Sequence, residues 1–304
     1  MANCCTLQNS RGDLCPSIMD IAKRLIIVPE VDGSGAQNKF ASEAAVTKSA
    51  LQAKFDAADK DDRFFPLSII ENVEDLRAEP TFFEFNSGRK AKVKEGTRTF
   101  VAYIPFQGPE YLGKLEEWGC SKFGVYIVDK AGNFIYATDS STKTEVLPIL
   151  VDHESFSAEL MKKTDGEPIM IKLTFDFRET EKDSLLRAID KDSLDFDGLS
   201  STDVYGLWDI THAVTSITTT GFVSTITSVD YGFAIEGLVP GDFSLYNDTD
   251  SASVTITSAT ESATVPGEYT FVIPAQTSAD SMTLSMTKAG YDDAPLEAVK
   301  VVIP

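Results

Sequence analysis

The first two hundred residues alternate polar and apolar positions over short stretches, which is the period of β-strands. This pattern predicts strands at residues 22–30, 66–73, 80–86, 96–106, 145–152 and 167–177, and a hairpin over residues 122–139. Helical spacing instead predicts helices at residues 42–60, 109–119 and 179–190. In the first of these we expect Ser42 as the N-cap, and Ala45, Leu51 and Phe55 on an apolar stripe.

The last hundred residues have a different composition. Residues 191–203 are polar and rich in turn formers, so we place a domain boundary there. Beyond it Thr and Ser are frequent, Arg is absent, and short β-rich runs recur at roughly ten-residue spacing, which predicts an immunoglobulin-like β-sandwich. We therefore predict a mainly β protein with an N-terminal arm (1–16), an α+β domain (17–200) and the sandwich (204–304).

The chain is acidic overall, with a formal net charge of −20. Residues 201–304 contain 13 acidic residues and two lysines, and so carry −11 of this charge. Such a surface repels phosphate, which argues against tight nucleic-acid binding. No apolar run approaches the ~18 residues of a membrane-spanning helix, and the N-terminus lacks the pattern of a secretory signal. We therefore expect no membrane insertion, and folding in the cytoplasm with reduced thiols.

The cysteines form no recognisable metal or disulfide pattern. Cys4, Cys5 and Cys15 lack C-x-x-C spacing, and adjacent cysteines are poor partners in a tetrahedral site. Cys120 follows an aromatic helix end and is predicted to be a small buried residue. The Arg-Gly-Asp triplet at residues 11–13 is interpreted as a chance occurrence in a loop.

A glycine pair in residues 31–38 suggests a dinucleotide-binding loop. Gly33-x-Gly35 is present, but Asn38 stands at the third glycine position. No helix begins close enough to direct its N-terminus at a phosphate, so we predict a turn.

An acidic run near the domain boundary suggests a calcium loop. With Gly198 as its sixth residue, Ser193, Asp195 and Asp197 would occupy the first, third and fifth positions. Val204 then stands where a bidentate glutamate is required, so we predict a solvated linker instead.

Catalytic patterns are lacking in the sequence. The two histidines, His153 and His212, do not lie beside a nucleophile motif, and neither G-x-S-x-G nor G-x-x-x-x-G-K-[ST] occurs. We therefore predict no catalytic, cofactor-binding or metal-binding residues, and a structural or interaction protein rather than an enzyme.

Several short motifs are similar to those of a known family. They are G-x-R-T-F, Y-L-G-K-L and G-V-Y-I-V-D-x-x-G-N within residues 96–133, continued by IMIKLTFDFRETEKD at residues 169–183. Over residues 10–190 the chain resembles ring or tail-tube structural proteins of phages that infect Bacteroidetes, including the crAss-like group. The stretch EGLVPGDFSLYNDTDSASVTITS resembles immunoglobulin-like modules appended to phage virion proteins.

The resemblance implies a tail-tube-like β-barrel or sandwich with flanking helices, followed by the immunoglobulin-like domain. Copies would pair their sheets into a homo-oligomeric ring of six or twelve, part of the tail or head-to-tail conduit. Genomic DNA would pass through the lumen without specific binding, and adjacent tail, portal or ring proteins would be partners. The protein would be assembled in the host cytoplasm and located in the virion tail. We expect the arm (1–16) to be ordered mainly by a neighbouring subunit, and the immunoglobulin-like domain to project outward.

A second hypothesis assigns the chain to host-surface recognition, with the immunoglobulin-like domain binding a glycan. The aromatic residues that could stack on sugars are Trp208, Tyr231, Tyr246, Tyr269 and Tyr291. Aromatic residues at strand spacing usually pack in a core, so we favour that interpretation. A ring would support the first hypothesis, and a stable monomer or trimeric fibre the second.

Overall fold

The computed structural model describes residues 19–57, 59–163, 166, 168–201, 203–204, 206, 208–228, 232–286, 288, 291–292 and 299–304. Over these residues the chain is mainly β with multiple antiparallel sheets, so the predicted class is confirmed. The chain divides into two compact units. The first comprises Met1–Lys54 and Asp59–Tyr205, and the second Phe55–Ala58 and Gly206–Pro304. The predicted arm (1–16), with Cys4, Cys5, Cys15 and the triplet at 11–13, lies outside the described residues.

Eleven strands and two α-helices precede Asp190 in the described part of the chain. The strands are β1 (Ala22–Pro29), β2 (Phe65–Pro66), β3 (Glu71–Arg77), β4 (Thr81–Glu84), β5 (Lys90–Lys94), β6 (Arg98–Pro105), β7 (Phe123–Asp129), β8 (Phe134–Ala137), β9 (Ile149–Met161), β10 (Met170–Phe177) and β11 (Leu186–Ile189). The helices are α1 (Lys48–Phe55) and α2 (Pro109–Glu116). Short 3-10 helices lie at Glu43–Ala45, Glu117–Cys120, Asp183–Leu185 and Lys191–Ser193.

The strand pairings of the first unit form a closed circuit. Antiparallel ladders join β1 to β7, β7 to β9, β9 to β10, β10 to β6, and β6 to β3. The last gap is closed because β2 pairs with β1, and the amides of Leu67 and Ile70 donate to the carbonyls of Leu25 and Lys23 before the chain enters β3. Outside the circuit, β8 pairs with β7 and β11 pairs with β8.

One apolar core joins these strands. Alternate residues of β6 and β10 are buried, as the two-residue period requires. Phe100 and Phe175 stack with ring centroids 5.1 Å apart, and Phe123 meets Phe156 edge to face at 5.4 Å. The core also includes Leu25, Ile27, Ala102, Ile104, Val125, Ile127, Ile171 and Leu173.

A second apolar layer covers the other face of β1, β7 and β8. Because successive side chains alternate across a strand, Tyr126 lies opposite the core residues Val125 and Ile127. The Tyr126 ring packs against Phe40, Phe64 and Phe134 at 6.0, 6.0 and 4.9 Å. Its hydroxyl donates to the Val146 carbonyl, and burial strongly raises its pKa. These strands therefore have two buried faces, which explains their continuous apolar sequences.

The predicted helix at 42–60 is wrong in its first part and in its length. A 3-10 turn at Glu43–Ala45 comes first, and α1 begins only at Lys48. Ser42 makes no side-chain cap, whereas the Thr47 hydroxyl accepts from the amide of Ala50 at 3.2 Å. A threonine side chain that accepts from the amide three residues later caps the start of a helix, so α1 begins after Thr47.

The helix predicted at 179–190 is also wrong. This segment forms a 3-10 turn and then β11, which pairs with β8. Leu186 and Ala188 enter the core through alternate positions of the strand. The edge of β8 satisfies the backbone here, and tertiary pairing overrides the helical pattern.

Other sequence predictions agree more closely with the structure. The helix at 109–119 appears as α2, with Pro109 in its first turn, followed by a 3-10 turn. The hairpin at 122–139 is confirmed as β7 and β8, with Gly132 at φ +89° in the turn. β9 extends nine residues beyond the predicted end at 152, and β5 was not predicted. Cys120 is exposed rather than buried. The nearby Trp118, rather than Cys120, packs against Phe65 and Phe123.

The segment predicted as a solvated linker is instead packed on the first unit. Phe196 is buried, with its ring 6.5 Å from that of Phe134. The Asp195 carboxylate accepts from the amide of Lys48 at the start of α1. Asp203 forms an ion pair with the Lys48 ammonium at 2.6 Å. The described residues 191–201 and 203–204 therefore belong to the folded body of this unit.

Nine strands are described in the second unit. They are β12 (Trp208–Thr218), β13 (Gly221–Ser228), β14 (Phe243–Asn247), β15 (Ala252–Val254), β16 (Ser258–Glu261), β17 (Glu268–Val272), β18 (Ser281–Met286), β19 (Tyr291–Asp292) and β20 (Val299–Val302). Their orders are β16-β17-β13-β12-β19 in one sheet and β15-β14-β18-β20 in the other. The sequence also predicts a β-rich run at residues 231–238, but its described part, residues 232–238, forms an isolated bridge at Ala234 and no strand.

The two sheets of this unit share one apolar core. Phe222 and Phe271 from the first sheet stack at 4.8 Å, and Phe243 from the second meets Phe271 edge to face at 4.9 Å. Tyr269 is fully buried, and its hydroxyl donates to the carbonyl of Ile235 and accepts from the amide of Leu238.

Candidate functional site

The most unusual surface of the first unit is a hairpin formed by β4 and β5, called here the exposed hairpin (Thr81–Lys94). These strands pair only with each other among the described residues and form a separate two-stranded sheet. Phe82, Phe83, Phe85 and Val93 are between 44% and 67% exposed. A two-stranded hairpin is marginally stable alone in water, and a cluster of exposed large apolar side chains marks an interaction surface.

The exposed hairpin also concentrates positive charge in an acidic protein. Arg89, Lys90, Lys92 and Lys94 outnumber the single carboxylate of Glu84, so the hairpin carries +3 and the remainder of the chain −23.

Its side chains separate onto two faces. Cross-strand pairing places Phe82 beside Lys92 and Glu84 beside Lys90 on one face, and Phe83 beside Ala91 on the other. Phe83 also packs edge to face on Phe85, with centroids 5.0 Å apart. The hairpin thus presents an aromatic face and a basic face, and both are exposed.

The base of the hairpin is held by a network of ion pairs. Arg98 binds Asp75 through two nitrogens, and Arg77 binds Asp183 at 2.8 Å. Lys94 pairs with Glu179, and the Arg98 guanidinium lies 4.7 Å from the ring centroid of Phe177. These contacts join β3, β5 and β6 to the segment after β10, so the hairpin is anchored where it leaves the unit.

Gly96 permits the two strands at this base to approach closely. A Cβ at Gly96 would lie 1.6 Å from the carbonyl oxygen of Ala78. The amide of Ala78 donates to the carbonyl of Thr97, which extends the β3–β6 ladder towards the hairpin. Only a glycine fits this position without a backbone shift.

A cavity of about 290 Å³ lies beside this network. Its arginines Arg77, Arg98 and Arg178 each pair with a carboxylate, the last with Glu30 at 2.7 Å, so their charges are already compensated. Burial raises the pKa of Glu181, which also lines the cavity, to about 6. We therefore interpret this cavity as part of the hairpin's anchor rather than as a ligand site.

The loops that suggested ligand-binding motifs form local turns. The Asp32 carboxylate accepts from the Ser34 hydroxyl and from the amides of Ser34 and Ala36, which closes the loop containing Gly33 and Gly35. These hydrogen bonds hold the pKa of Asp32 below its usual value.

The calcium-like loop uses its carboxylates internally. Asp195 caps α1, Asp197 accepts from the amide of Leu199, and Asp203 accepts from the amide of Asp197. Within the described residues, no group of three or more His, Cys, Asp or Glu side chains is arranged to hold a metal ion.

The histidines and the aromatic residues singled out from the sequence are dispersed. His153 lies in β9 of the first unit, and His212 is buried in β12 of the second. Trp208 and Tyr291 belong to β12 and β19, and Tyr231 lies outside the described residues. Tyr269 is a core residue, whereas Tyr246 is 43% exposed.

Comparison with protein-family models and with curated proteins gave no match. In the part of the chain that the structure describes, no helix combines the length and the apolar character needed to span a bilayer.

Proposed function

We propose that the chain is a structural subunit of a phage tail that assembles into a homo-oligomeric ring of six or twelve copies. The ring forms part of the conduit through which DNA leaves the virion, and neighbouring tail, portal or ring proteins stack on it. The first unit is the tail-tube-like barrel of the ring, and the second an outward immunoglobulin-like domain.

The exposed hairpin is the observation that carries this proposal. Most apolar residues in the other strands of the first unit are buried, yet this hairpin leaves three phenylalanines and a valine in water. A protein that acted alone would gain stability by covering or replacing them. A subunit that must bind its own copies requires such a surface.

The motifs that resemble tail-ring proteins coincide with the strand circuit. Residues 96–133 span β6, α2 and β7, and residues 169–183 contain β10. β6, β7 and β10 are members of the closed circuit, which is the arrangement expected of a barrel. The acidic charge of the chain fits a lumen that DNA traverses without adhering, because like charges repel.

Electron microscopy of the purified full-length chain tests the proposal. We expect rings with six-fold or twelve-fold symmetry, whose lumen, once mapped, is lined mainly by carboxylates and neutral residues. A monomer at every accessible concentration would contradict the ring, and a lumen lined by Lys and Arg would contradict the passage of DNA without binding.

The same purified chain can be used to test the alternative function, host-surface recognition. Of the five aromatic residues considered for glycan stacking, Tyr246 is the one shown to be exposed, and Tyr269 is excluded by its burial. Glycan-array binding by a monomeric chain, lost in Tyr246→Ala, would favour recognition over assembly.

A further inference from the structure

We propose that β5 of the exposed hairpin in one copy adds, as an antiparallel or parallel neighbour, to the free edge of β3 in a second copy. This inference rests on the proposed function and names the two strands that join the subunits.

The circuit closes onto β1 at Leu67 and Ile70, and beyond Ile70 one edge of β3 is left without a strand partner among the described residues. This edge is acidic. Among the described residues β3 pairs with β6 alone and ends the sheet order β11-β8-β7-β9-β10-β6-β3. Its sequence, Glu-Asn-Val-Glu-Asp-Leu-Arg, carries three carboxylates and one arginine. Glu71 pairs with Lys23 and Asp75 with Arg98, which leaves Glu74 as the carboxylate that a second copy can engage. Leu76 is 55% exposed, and Glu74 is exposed on the same strand. Such an edge is a ready template for another strand.

β5 has the complementary chemistry. Its sequence, Lys-Ala-Lys-Val-Lys, places three cations and the exposed Val93 on a strand that pairs only with β4 among the described residues. β4 is the poorer candidate because its one charged residue, Glu84, would face an acidic edge. Strand addition obtains affinity from main-chain hydrogen bonds, and opposite charges on facing strands set the register.

Two of the three lysines of β5 can change partners, whereas Lys94 belongs to the anchor through Glu179. Lys90 pairs with Glu84 and Lys92 with Glu95, but all of these side chains are largely exposed. Exposed ion pairs within one chain contribute little stability, so exchanging them for carboxylates of a second copy costs little.

β5 cannot reach the free edge of its own β3. The bond from the Ala78 amide to the Thr97 carbonyl continues the β3–β6 ladder into the hairpin. β4 therefore continues on the side of β3, and β5 returns on the side of β6. A second copy of the chain, whose total charge is −20, is the occupant that this geometry and charge favour.

Each copy then has one donor strand and one acceptor edge. Contacts of this kind between different surfaces repeat from subunit to subunit and close into a ring when the rotation between copies permits.

Charge exchange tests the pairing. We expect Lys90→Glu with Lys92→Glu to weaken self-association in sedimentation velocity at least about 10-fold, and Glu74→Lys alone to weaken it similarly. Combining the three changes should restore association to within about 10-fold of the unmodified chain. Lys143→Glu, an exposed reversal on a loop of the same unit, is the control and should leave association unchanged. Circular dichroism verifies that every variant is folded.

Directed cross-linking tests the contact itself. A chain with Val93→Cys mixed with a chain with Leu76→Cys should form a disulfide-linked dimer under mild oxidation. Val93→Cys mixed with Val265→Cys, an exposed valine of the second unit, should form none above the level of the native cysteines.

The outcomes separate this inference from the proposed function. If rings form but neither the charge reversals nor the cross-link responds, the pairing of β5 with β3 is wrong and the ring proposal stands. A cross-link between Val93→Cys chains alone would indicate hairpin-to-hairpin pairing and overturn the inference. If the unmodified full-length chain binds phosphatidylserine vesicles and the charge reversals do not change its self-association, the partner of the hairpin is a membrane rather than a second copy. A strictly monomeric chain would overturn both the pairing of β5 with β3 and the ring proposal.

Discussion

Arg24 Nη1 donates a hydrogen bond of 3.0 Å to the carbonyl oxygen of Val204, 180 positions further along the chain. The same nitrogen lies 3.1 Å from the carbonyl oxygens of Gly198 and Ser200. Arg24 is 4% exposed, and its burial lowers its pKa. Three main-chain dipoles therefore stabilise a buried cation on β1, and the cation in turn holds the last residues of the first unit in place.

Arg24→Met should destabilise the first unit because it leaves three carbonyls without this donor. We expect the free energy of unfolding to fall by about 3 kcal/mol, the range for breaking a buried charged contact. Urea denaturation followed by circular dichroism measures the change. Lys130→Met, which removes an exposed cation from the turn between β7 and β8, should change stability by less than about 0.5 kcal/mol. Equal effects of the two substitutions would show that Arg24 does not hold the segment.

Gly96→Ala should disturb the base of the exposed hairpin. The added Cβ would collide with the carbonyl oxygen of Ala78, so we expect a loss of about 2 kcal/mol and a weaker assembly. Thermal denaturation and sedimentation velocity measure the two effects. The matched control is Gly113→Ala in α2, where a Cβ meets open space. That change should raise stability by about 0.5–1 kcal/mol, because alanine favours a helix over glycine.

Glu181→Gln should stabilise the protein in a pH-dependent way. Burial raises the pKa of Glu181 to about 6, so the folded state binds this proton more tightly than the unfolded chain does. The ionised carboxylate therefore costs stability above about pH 6, and the cost disappears as the pH falls below the unperturbed value of 4.5.

Urea unfolding at two pH values measures this effect. At pH 7.5 we expect the free energy of unfolding of Glu181→Gln to exceed that of the unmodified chain by about 1 kcal/mol, allowing for partial solvent screening. At pH 4 the two free energies should agree. Glu79→Gln, an exposed change in the same unit, should show no difference at either pH. A Glu181→Gln variant that is less stable at pH 7.5 would contradict the assigned effect of burial.

Tyr269→Phe should destabilise the second unit through its hydroxyl alone. The substitution keeps the ring in the core but leaves the Ile235 carbonyl and the Leu238 amide without their partner. We expect a loss of about 1–3 kcal/mol in the unfolding free energy. Tyr246→Phe removes the same atom from an exposed side chain and should be nearly neutral. If the two tyrosines behave alike, the bridge made by Tyr269 contributes nothing.

The sequence predicts the elements whose pattern agrees with their tertiary surroundings. β6, β10 and the hairpin of β7 and β8 follow a two-residue period or a strong turn signal, and the structure contains them. β11 and the start of α1 are different, because pairing with β8 and the Thr47 cap override the helical pattern there. Local propensity does not contain the information about which sheet edge lies nearby.

The exposed hairpin could be located only in part from the sequence. The run Pro80–Asn86 predicts a strand, but an alternating apolar run is normally half-buried, and nothing in it shows that Phe82 and Phe83 remain in water. The alternation Lys-Ala-Lys-Val-Lys was the missed signal for β5. Read as a strand, it predicts a basic edge directly beside the aromatic strand.

The packing of residues 191–204 fixes where the first unit can be cut. A polypeptide ending at Asp190 retains every strand of the closed circuit, yet it lacks the Phe196 ring, the Asp195 cap of α1 and the carbonyls that face Arg24. An orphaned guanidinium would then be left inside the protein. The shortest polypeptide that can fold as this unit therefore extends through Val204, four residues beyond the predicted end of the first domain at residue 200.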